Sequence, residues 1–329
     1  MAAIAEQMRV SVFGLALVAL ASSPAWAAKD SCLAALGKSH EKLESRCESL
    51  SHDGRVRTYR LYVPARLHEP APLLFVLHGG GGSGSYMEIM TRREFNRIAD
   101  RDGALVVYPD GVGRNWNDGR SGVRSEAMEQ NVDDVGFLRA LVRELSTRHR
   151  VDAKRIYSTG ISNGGFMSFR LACEAADVFA AVAPVAANLS VDLGSRCRPA
   201  KPVSIALLNG TDDPLVPWNG GQVGRPGIKR GMAWSAEKTL DTWAALNGCR
   251  EKSDDQVIDK IPDDDTSVVL HVRSQCRAGS EVRLYEIRGG GHTWPRGEKY
   301  LTERMVGKVS QELDGAEEVW SFLSAHRTE

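Results

Sequence analysis

The sequence predicts an α/β fold in which a mainly parallel, twisted sheet carries helices on both faces. Short apolar runs of strand length alternate with segments of helical spacing through most of the 329 residues. Some of these runs, such as residues 73–77 and 203–208, are apolar at nearly every position, which is typical of strands buried on both faces. No internal repeat or low-complexity linker divides the chain, and about 300 residues are enough for one large domain with a substantial core.

Predicted strands and turns follow one another closely in the first half of the chain. Residues 55–63 alternate like an edge strand, and the run at 73–77 ends in a histidine and four glycines. Residues 85–101 have the spacing of one helix, and the strand at 104–108 ends in a Pro-Asp-Gly turn. Residues 111–131 show no periodicity, so we expect a rim or lid over a site there.

The second half of the chain continues the alternation. Residues 133–150 are predicted to form a helix, and the two aspartates at its start suit the positive N-terminal end. A strand at 156–159 leads into a serine flanked by glycines. The remaining predicted elements are strands at 179–185, 203–208, 267–273 and 282–287 and helices at 166–175, 234–246 and 315–326.

The first 27 residues are typical of an export signal. Arg9 precedes an apolar run at residues 10–21, and residues 25–27 form a small-x-small cleavage site. Met8 is an alternative start, because the residues before it add nothing that a signal needs. The apolar run is about half of the roughly 20 residues that a membrane-spanning helix requires, so we expect no membrane anchor. We therefore expect residues 28–329 to form a single secreted or periplasmic domain.

Charge and motif content argue against several classes of partner. The chain has 42 basic and 42 acidic residues without a long run of either sign, which argues against a nucleic-acid or membrane-surface partner. No HExxH motif is present, and Asp263-Asp264-Asp265 is typical of a solvated loop. We therefore expect no metal site.

Six cysteines in an exported chain indicate disulfides. No CxxC motif is present that would favour a zinc or redox site. Of the roughly 15 formal pairings, sequential ones close short loops, and each would stabilise the fold by about 3 kcal/mol. The sequential pairs are Cys32 with Cys47, Cys173 with Cys197, and Cys249 with Cys276.

Ser162 is the candidate nucleophile. It stands in Gly160-Ile161-Ser162-Asn163-Gly164, directly after a predicted strand and before a helical pattern. This arrangement predicts a nucleophile elbow, a sharp turn in which glycines stand where side chains would collide with the strand and the helix. The motif alone is weak because glycine and serine are common, so its weight depends on the residues around it.

A serine hydroxyl needs a general base, and the base needs a carboxylate to orient it. The chain supplies both in the order serine, acid, histidine, each on a loop after a strand. Asp212 and Asp213 follow the strand at 203–208, and spacing alone does not choose between them. His292 lies on a glycine-rich loop after the strand at 282–287.

Two backbone N–H groups are candidates for an oxyanion hole. Asn163 provides the N–H that follows the nucleophile. The glycines after His78 resemble the HGGG-type loop that supplies the second donor, from Gly80 or Gly81, and Gly80 is our choice. We expect His78 to brace this loop rather than to transfer protons.

Three tryptophans are candidates for a substrate-binding wall. Trp116, Trp218 and Trp294 lie on or near the loops predicted to surround Ser162. Flat aromatic side chains suit an apolar or aryl acyl group, and ordinary packing is the alternative for each of them.

The same glycine loop also fits a dinucleotide-binding fingerprint. Gly79, Gly81 and Gly84 match GxGxxG between a strand and a helix, and Asp110 ends the next strand. However, an exported, disulfide-bearing chain has little access to nicotinamide cofactors, and this interpretation leaves the serine and the histidine unused. We therefore expect no cofactor.

Taken together, these motifs resemble the secreted polyhydroxybutyrate depolymerase and feruloyl esterase family of the α/β-hydrolases. The resemblance extends over nearly all of residues 28–329 and is far more specific than the serine motif alone. The segments that carry it are LHGGGGS from Leu77, YPDG from Tyr108, WN at Trp116, DDVGF from Asp133, GISNGG from Gly160, NGTDDPLVPWNGG from Asn209 and GGGHTWP from Gly289.

The resemblance implies a secreted serine carboxylic-ester hydrolase that acts through an acyl-enzyme. Ser162 would be the nucleophile, Asp213 the acid and His292 the base. The implied substrates are poly- or oligo(3-hydroxybutyrate) or feruloyl and related aryl esters. An acetylxylan-type esterase and a non-catalytic secreted binding protein on the same scaffold are the alternatives. The disulfides implied by the family are Cys173 with Cys197 and Cys249 with Cys276.

The chain departs from the family pattern in two places. Asn209 stands where a histidine usually opens the HGTxD segment, which affects local packing rather than the triad. No polymer-binding module follows the catalytic domain, so we expect activity on soluble esters or oligomers rather than on solid polyester.

Overall fold

The computed structural model describes residues 43–225, 227–253, 255–261 and 263–329. The predicted export signal at residues 1–27 and Cys32 lie outside the described residues. Within the described ranges, no helix combines the length and the hydropathy needed to cross a membrane.

Most of the longer strands form where short apolar or alternating runs end in turn residues. The long runs that the sequence predicts as buried strands are all present. In chain order, the strands are β1 Arg46–His52, β2 Arg55–Tyr62, β3 Ala71–Leu77, β4 Leu105–Pro109, β5 Val151–Ile161, β6 Ala181–Val185, β7 Ser204–Gly210, β8 Gly221–Gln222, β9 Met232–Ala233, β10 Glu251–Lys252, β11 Gln256–Ile258, β12 Ser267–Ser274 and β13 Val282–Arg288.

The helices lie between these strands, and several begin at a side-chain cap. For example, the carboxylate of Asp133 accepts the N–H of Gly136 at 2.8 Å, which satisfies a donor of the first turn. The α-helices are α1 Gly84–Met90, α2 Glu94–Asp102, α3 Glu126–Glu129, α4 Asp134–Arg148, α5 Asn163–Glu174, α6 Val191–Arg196, α7 Ala236–Asn247, α8 Glu303–Val306 and α9 Gly315–Ser324, and two short 3₁₀ helices lie at Val112–Arg114 and Arg277–Gly279.

One mixed sheet organises the described structure. Its order is β1-β2-β4-β3-β5-β6-β7-β13-β12-β10, and β11 also pairs with β12. The strands from β4 through β13 in this order pair in parallel, whereas both flanks are antiparallel. Because the parallel strands run in one direction, the loops that follow β5, β7 and β13 emerge at the same edge of the sheet.

Apolar cores cover both faces of this sheet. Leu73, Phe75 and Leu77 face one core, and Leu74 and Val76 of the same strand face the other. Helices α4, α5 and α7 contribute to the first core, and α1, α2 and α9 contribute to the second. The predicted α/β class, with a mainly parallel sheet and helices on both faces, is therefore confirmed.

Two predicted elements are wrong in detail. Residues 85–101 form two helices rather than one, because Arg92 and Arg93 have φ values of 55° and 59°, outside the right-handed helical region. Residues 55–63 are predicted as an edge strand, but β1 pairs with β2 in antiparallel register and takes the edge position.

Two disulfides have both of their cysteines among the described residues, and both follow the predicted sequential pairing. Cys173 bonds to Cys197, and Cys249 bonds to Cys276. Cys47 is also disulfide-bonded, and its predicted partner Cys32 lies outside the described residues. Each described bridge closes a short loop, with sequence separations of 24 and 27 residues.

Candidate active site

Ser162 lies at the junction of β5 and α5 in a strained backbone conformation. Its φ of 55° and ψ of −120° fall in a region that non-glycine residues rarely adopt. The turn is held on both sides, because the Ser162 N–H donates to the carbonyl of Val185 at 2.9 Å and its carbonyl accepts from Phe166 at 2.8 Å. Such strain persists only where the surrounding structure enforces it.

The flanking glycines are required by close backbone contacts. A Cβ added to Gly164 would lie 2.3 Å from the carbonyl oxygen of Leu77, and a Cβ on Gly160 would lie 2.7 Å from the same oxygen. A side chain at Gly164 would push α5 away from β3, and one at Gly160 would push both β3 and α5 away from β5. The GxSxG spacing therefore has a steric cause in this fold, as the sequence motif predicts.

Asp213 and His292 meet at the edge of the sheet where β7 and β13 end. These strands are parallel neighbours, so their following loops come together although the two residues are 79 positions apart. The Nδ1 atom of His292 lies 2.7 Å from Oδ2 of Asp213. Both side chains are almost completely buried, with 3% and 2% of their side-chain surface exposed.

The structure distinguishes the two aspartates that spacing leaves open. The second carboxylate oxygen of Asp213 accepts the N–H groups of Leu215 and Val216 at 2.7 and 2.8 Å. Asp212 is exposed, and its carboxylate accepts from the hydroxyl of Thr211. The structure therefore brings Asp213, and not Asp212, to His292.

The loop that carries His292 is held by hydrogen bonds to the backbone of this residue. The His292 N–H donates to the carbonyl of Val306 at 2.5 Å, and the Tyr300 hydroxyl donates to the His292 carbonyl at 2.6 Å. Because Nδ1 faces a carboxylate, it carries the proton, which leaves Nε2 as the basic nitrogen. His292 and Ser162 line the same cavity.

His78 braces the glycine loop, because both of its ring nitrogens are engaged. Nδ1 donates to the carbonyl of Gly79 at 2.7 Å, and Nε2 accepts the N–H of Gly111 at 2.9 Å. Complete burial lowers the pKa of His78, which favours this neutral form. This histidine is therefore a structural residue and not a second base.

The glycine loop places Gly80 next to Asn163. The N–H of Gly81 is occupied, because it donates to the carbonyl of Arg114 at 2.8 Å. An ideal Cβ on Gly80 would lie 3.8 Å from the Cβ of Asn163. Since Asn163 begins α5, its N–H lacks a partner within the helix. Of the two glycines considered from the sequence, Gly80 is the better candidate donor.

Trp116 is buried and does not line the cavity. Its prediction as a substrate-binding residue is therefore wrong. Its backbone N–H donates to Oδ1 of Asn163 at 2.7 Å and its carbonyl accepts from Nδ2 at 3.1 Å. Its indole N–H donates to the carbonyl of His78 at 2.9 Å. The side chain is fully buried and therefore joins the elbow to the glycine loop.

The other two tryptophans also pack away from the cavity, among the residues that the structure describes. Trp294 is 2% exposed and contacts Phe95 edge-on, with ring centroids 5.8 Å apart. Trp218 is half-buried against the first core. Proximity along the chain to the site loops is therefore a poor guide to side-chain direction.

The segment at 111–131 is only partly the rim that the sequence predicts. Arg114 and Arg120 line the cavity, but residues 116–118 are buried beneath it. The carboxylate of Asp118 accepts hydrogen bonds from Nδ2 of Asn163, at 2.6 Å, and from the guanidinium of Arg120. This segment therefore supports the turn that contains Ser162.

The cavity above Ser162 has a volume of about 430 Å³. One part of its wall is apolar or aromatic, and another part is cationic. The lining side chains other than those of the elbow and the glycine loop are Tyr86, Met90, Arg114, Arg120, Leu215, Val216, Val223, Arg225, Ile228, Arg230, His292, Tyr300 and Leu301.

Comparison with known proteins identifies the family. Residues 57–194, which include the glycine loop and Ser162, match the family model described as esterase PHB depolymerase. The putative esterase NocK of Nocardia uniformis subsp. tsuyamanensis is 33% identical over 280 residues, which cover 82% of this chain and 80% of NocK. The chain belongs to the esterase PHB depolymerase family.

Other similar proteins extend this finding. Feruloyl esterase B of Piromyces equi is 35% identical over 232 residues, which cover 68% of this chain and 39% of that protein. Among solved structures, a thermostable esterase gives a TM-score of 0.53 at 18% identity, covering 87% of this chain and 64% of that one. An acetyl xylan esterase from Aspergillus awamori gives a TM-score of 0.50 at 14% identity, covering 75% of this chain and 94% of that one. The structural matches support the α/β-hydrolase fold.

In this member of the esterase PHB depolymerase family, sequence reasoning missed two kinds of cavity residue. Tyr86 and Tyr300 lie on segments without a catalytic motif. Arg225 and Arg230 lie in the connection between β8 and β9, where no periodicity predicts structure. The sequence contained one signal for these arginines, a cluster of basic residues in the glycine-rich segment that follows Asp213.

Proposed function

We propose that the protein is a secreted serine carboxylic-ester hydrolase that acts through an acyl-enzyme. The observation that carries this proposal is the strained Ser162 in one cavity with His292, whose Nδ1 lies 2.7 Å from the buried carboxylate of Asp213. Family membership supports ester hydrolysis, since relatives named esterase and feruloyl esterase match most of the chain.

Acylation begins when Nε2 of His292 takes the proton of the Ser162 hydroxyl. The oxygen then attacks the ester carbonyl carbon, and the tetrahedral oxygen accepts from the N–H groups of Gly80 and Asn163. The bond from carbon to the leaving oxygen breaks, and His292 gives its proton to the departing alcohol. In deacylation, Nε2 of His292 takes a proton from a water molecule and the water oxygen attacks the acyl carbonyl carbon. The bond from that carbon to the Ser162 oxygen then breaks, and His292 gives its proton to this oxygen, which releases the acid and restores Ser162.

Asp213 holds the imidazole in the tautomer that this sequence requires. Its carboxylate is fixed by the N–H groups of Leu215 and Val216, so it does not turn away when the ring becomes positive. Burial of the pair increases the electrostatic stabilisation of the imidazolium, because water does not screen it.

The proposed substrates are poly- or oligo(3-hydroxybutyrate) or feruloyl and related aryl esters. The apolar and aromatic part of the cavity wall, with Tyr86, Met90 and Tyr300, supports an apolar acyl group. An acetylxylan-type substrate is the second candidate, since a relative from Neocallimastix patriciarum named bifunctional acetylxylan esterase/xylanase is 23% identical over 242 residues.

Replacement of Ser162 by Ala tests the mechanism. We expect the variant to remain folded, to lose fluorophosphonate labelling and to hydrolyse 4-nitrophenyl butyrate at least about 10³-fold more slowly. Ser146→Ala, at an exposed position of α4, is the matched control and should behave like the wild type. Retained labelling and turnover in Ser162→Ala would contradict the mechanism, and a wild-type protein without either would favour a non-catalytic binding protein.

Export is tested by the N-terminus of the protein recovered outside the cytoplasm. Cleavage after Ala27 predicts a mature chain that begins at Ala28. A chain retained in the cytoplasm with its first residues intact would contradict this part of the proposal.

A further inference from the structure

The wall of the cavity carries an excess of positive charge. Four arginines line it, namely Arg114, Arg120, Arg225 and Arg230, and no aspartate or glutamate among the described residues does so. An ordinary neutral ester needs no such charge. The excess therefore indicates a feature of the substrate beyond the scissile bond.

Arg120 is neutralised within the protein. Its guanidinium binds Asp118 through two nitrogens, at 2.9 and 2.6 Å, and lies 3.9 Å above the ring of Phe166. Both members of the pair are buried. The charge of Arg120 is therefore largely compensated by Asp118 and contributes little to ligand binding.

The other three guanidinium groups have no such partner. Within the described ranges, no carboxylate lies within 4.0 Å of Arg114, Arg225 or Arg230. Among the described residues, the guanidinium of Arg114 donates only to the carbonyl of Gly82, at 3.3 Å. Arg225 is half-buried and the other two are exposed, so all three can meet a ligand at the cavity mouth without a large desolvation cost.

Arg230 lies close to the proposed oxyanion hole. A Cβ built on Gly80, the proposed oxyanion donor, would lie 3.1 Å from Nη1 of Arg230. Arg225 and Tyr300 line the same cavity. Burial raises the pKa of Tyr300, and the positive charge of Arg225 opposes that shift, so Arg225 lies within electrostatic range of the Tyr300 hydroxyl. The charges of Arg225 and Arg230 therefore lie in the cavity that contains Ser162 and His292, and not on a remote surface.

The segment that carries these arginines is anchored. Arg230 donates its N–H to the carbonyl of Val223 at 2.8 Å, and Val223 donates to Gly231 at 2.9 Å. The carbonyl of Arg230 accepts from Nη1 of Arg120 at 2.9 Å. The buried pair of Arg120 and Asp118 therefore positions a hairpin that presents Arg225 and Arg230 to the cavity.

We infer that this cavity selects esters that carry a carboxylate in addition to the scissile ester, with Arg225 and Arg230 as the residues that bind it. A planar guanidinium binds a carboxylate through two parallel hydrogen bonds, which gives both affinity and orientation. The inference rests on the proposed esterase function and narrows its substrates. Oligomers of 3-hydroxybutyrate end in a free carboxylate, whereas alkyl ferulates are neutral, so the former fit the charged wall better.

Matched pairs of esters test this specificity. The acyl-side pair is the 4-nitrophenyl monoester of adipic acid and the same ester with a terminal carboxamide. The alcohol-side pair is 4-carboxyphenyl butyrate and 4-carbamoylphenyl butyrate. We expect kcat/KM to favour the acidic member of one pair by about tenfold or more at low salt, and the ratio to fall in 0.5 M NaCl. The pair that responds identifies the side that carries the carboxylate.

Arginine variants link the preference to the wall. Arg225→Met and Arg230→Met should each lower the acid-to-amide ratio by about tenfold, which corresponds to ~1.4 kcal/mol, and Arg225→Lys should restore part of it. Arg143→Met removes an exposed positive charge from α4 and should leave the ratio unchanged. A wild-type ratio near one for both pairs, or a ratio insensitive to both cavity arginines, would overturn the inference.

A binding measurement separates this inference from the esterase proposal. In Ser162→Ala, the intact acidic ester should bind more tightly than its amide, and Arg225→Met in that background should remove the difference. If the wild type hydrolyses neutral esters through Ser162 without any acidic preference, only the specificity inference is wrong. If the wild type hydrolyses no ester but Ser162→Ala shows the binding preference, the esterase proposal is wrong and the carboxylate site stands.

Discussion

The change of Asp213 to Asn tests the catalytic arrangement most sharply. One carboxylate oxygen accepts two backbone N–H groups, from Leu215 and Val216, and the other faces Nδ1 of His292 at 2.7 Å. An asparagine would keep its carbonyl oxygen toward the two N–H donors, because its NH₂ group cannot accept from them. The NH₂ group would then point at His292.

The consequence for His292 is a change of tautomer. With a donor opposite Nδ1, the ring must carry its proton on Nε2, where it can no longer take the proton of Ser162. The equivalent change in a serine protease lowers kcat by about 10⁴-fold, and the burial of this pair predicts a loss of about 10³- to 10⁴-fold here. That loss corresponds to ~4 to 5.5 kcal/mol of transition-state stabilisation.

Burst and steady-state kinetics with 4-nitrophenyl butyrate measure the effect. The control is Asp212→Asn, because Asp212 is exposed and lies one position away without contact to the ring. We expect Asp213→Asn to lower acylation and deacylation and to leave the free energy of unfolding nearly unchanged, while Asp212→Asn stays within about twofold of the wild type. A loss smaller than tenfold at Asp213, or a larger loss at Asp212, would refute the assignment.

Three further predictions concern the scaffold. Trp116→Phe removes the bond to the carbonyl of His78, so it should cost about 1 to 2 kcal/mol of stability by urea titration and also lower kcat; unchanged kcat would contradict the bracing role. Replacement of both Cys173 and Cys197 by Ala should lower the free energy of unfolding by roughly 3 kcal/mol, and a change under 1 kcal/mol would contradict the loop argument. Burial lowers the pKa of His78 and His326, so below about pH 6.5 the unfolded chain binds protons that the folded protein does not, and stability should fall as the pH drops from 7 to 5. His326→Gln should make that fall shallower, whereas a urea midpoint that rises toward pH 5 would show the sign to be wrong.

The strands that organise the site were predictable because each is a short apolar or alternating run that is followed within two residues by glycine. Residues 203–208 and 282–287 show this pattern, and both form parallel strands whose following loops meet. By contrast, β1 is polar and has no continuous apolar face, so only its pairing with β2 makes it a strand. Edge strands take their structure from a partner, which a local pattern does not contain.

The residues around Ser162 were predictable to different degrees. The motif that contains Ser162 has a steric cause, so its backbone conformation follows from the sequence. The choice between Asp212 and Asp213 depends on one peptide in a turn, which spacing does not specify. Trp116 lies near the site in the chain, but its direction is set by bonds to Asn163 and His78 that form only in the folded protein.

A single carboxylate constrains how the specificity of this protein can change during evolution or engineering. Asp118 binds both the Asn163 side chain, which follows Ser162, and the guanidinium of Arg120, which in turn donates to the carbonyl of Arg230. Mutations at Asp118 or Arg120 would therefore alter turnover and selectivity together. Arg225 makes no ion pair within the described ranges, so substitution there offers a route to new substrates that leaves the chemistry intact.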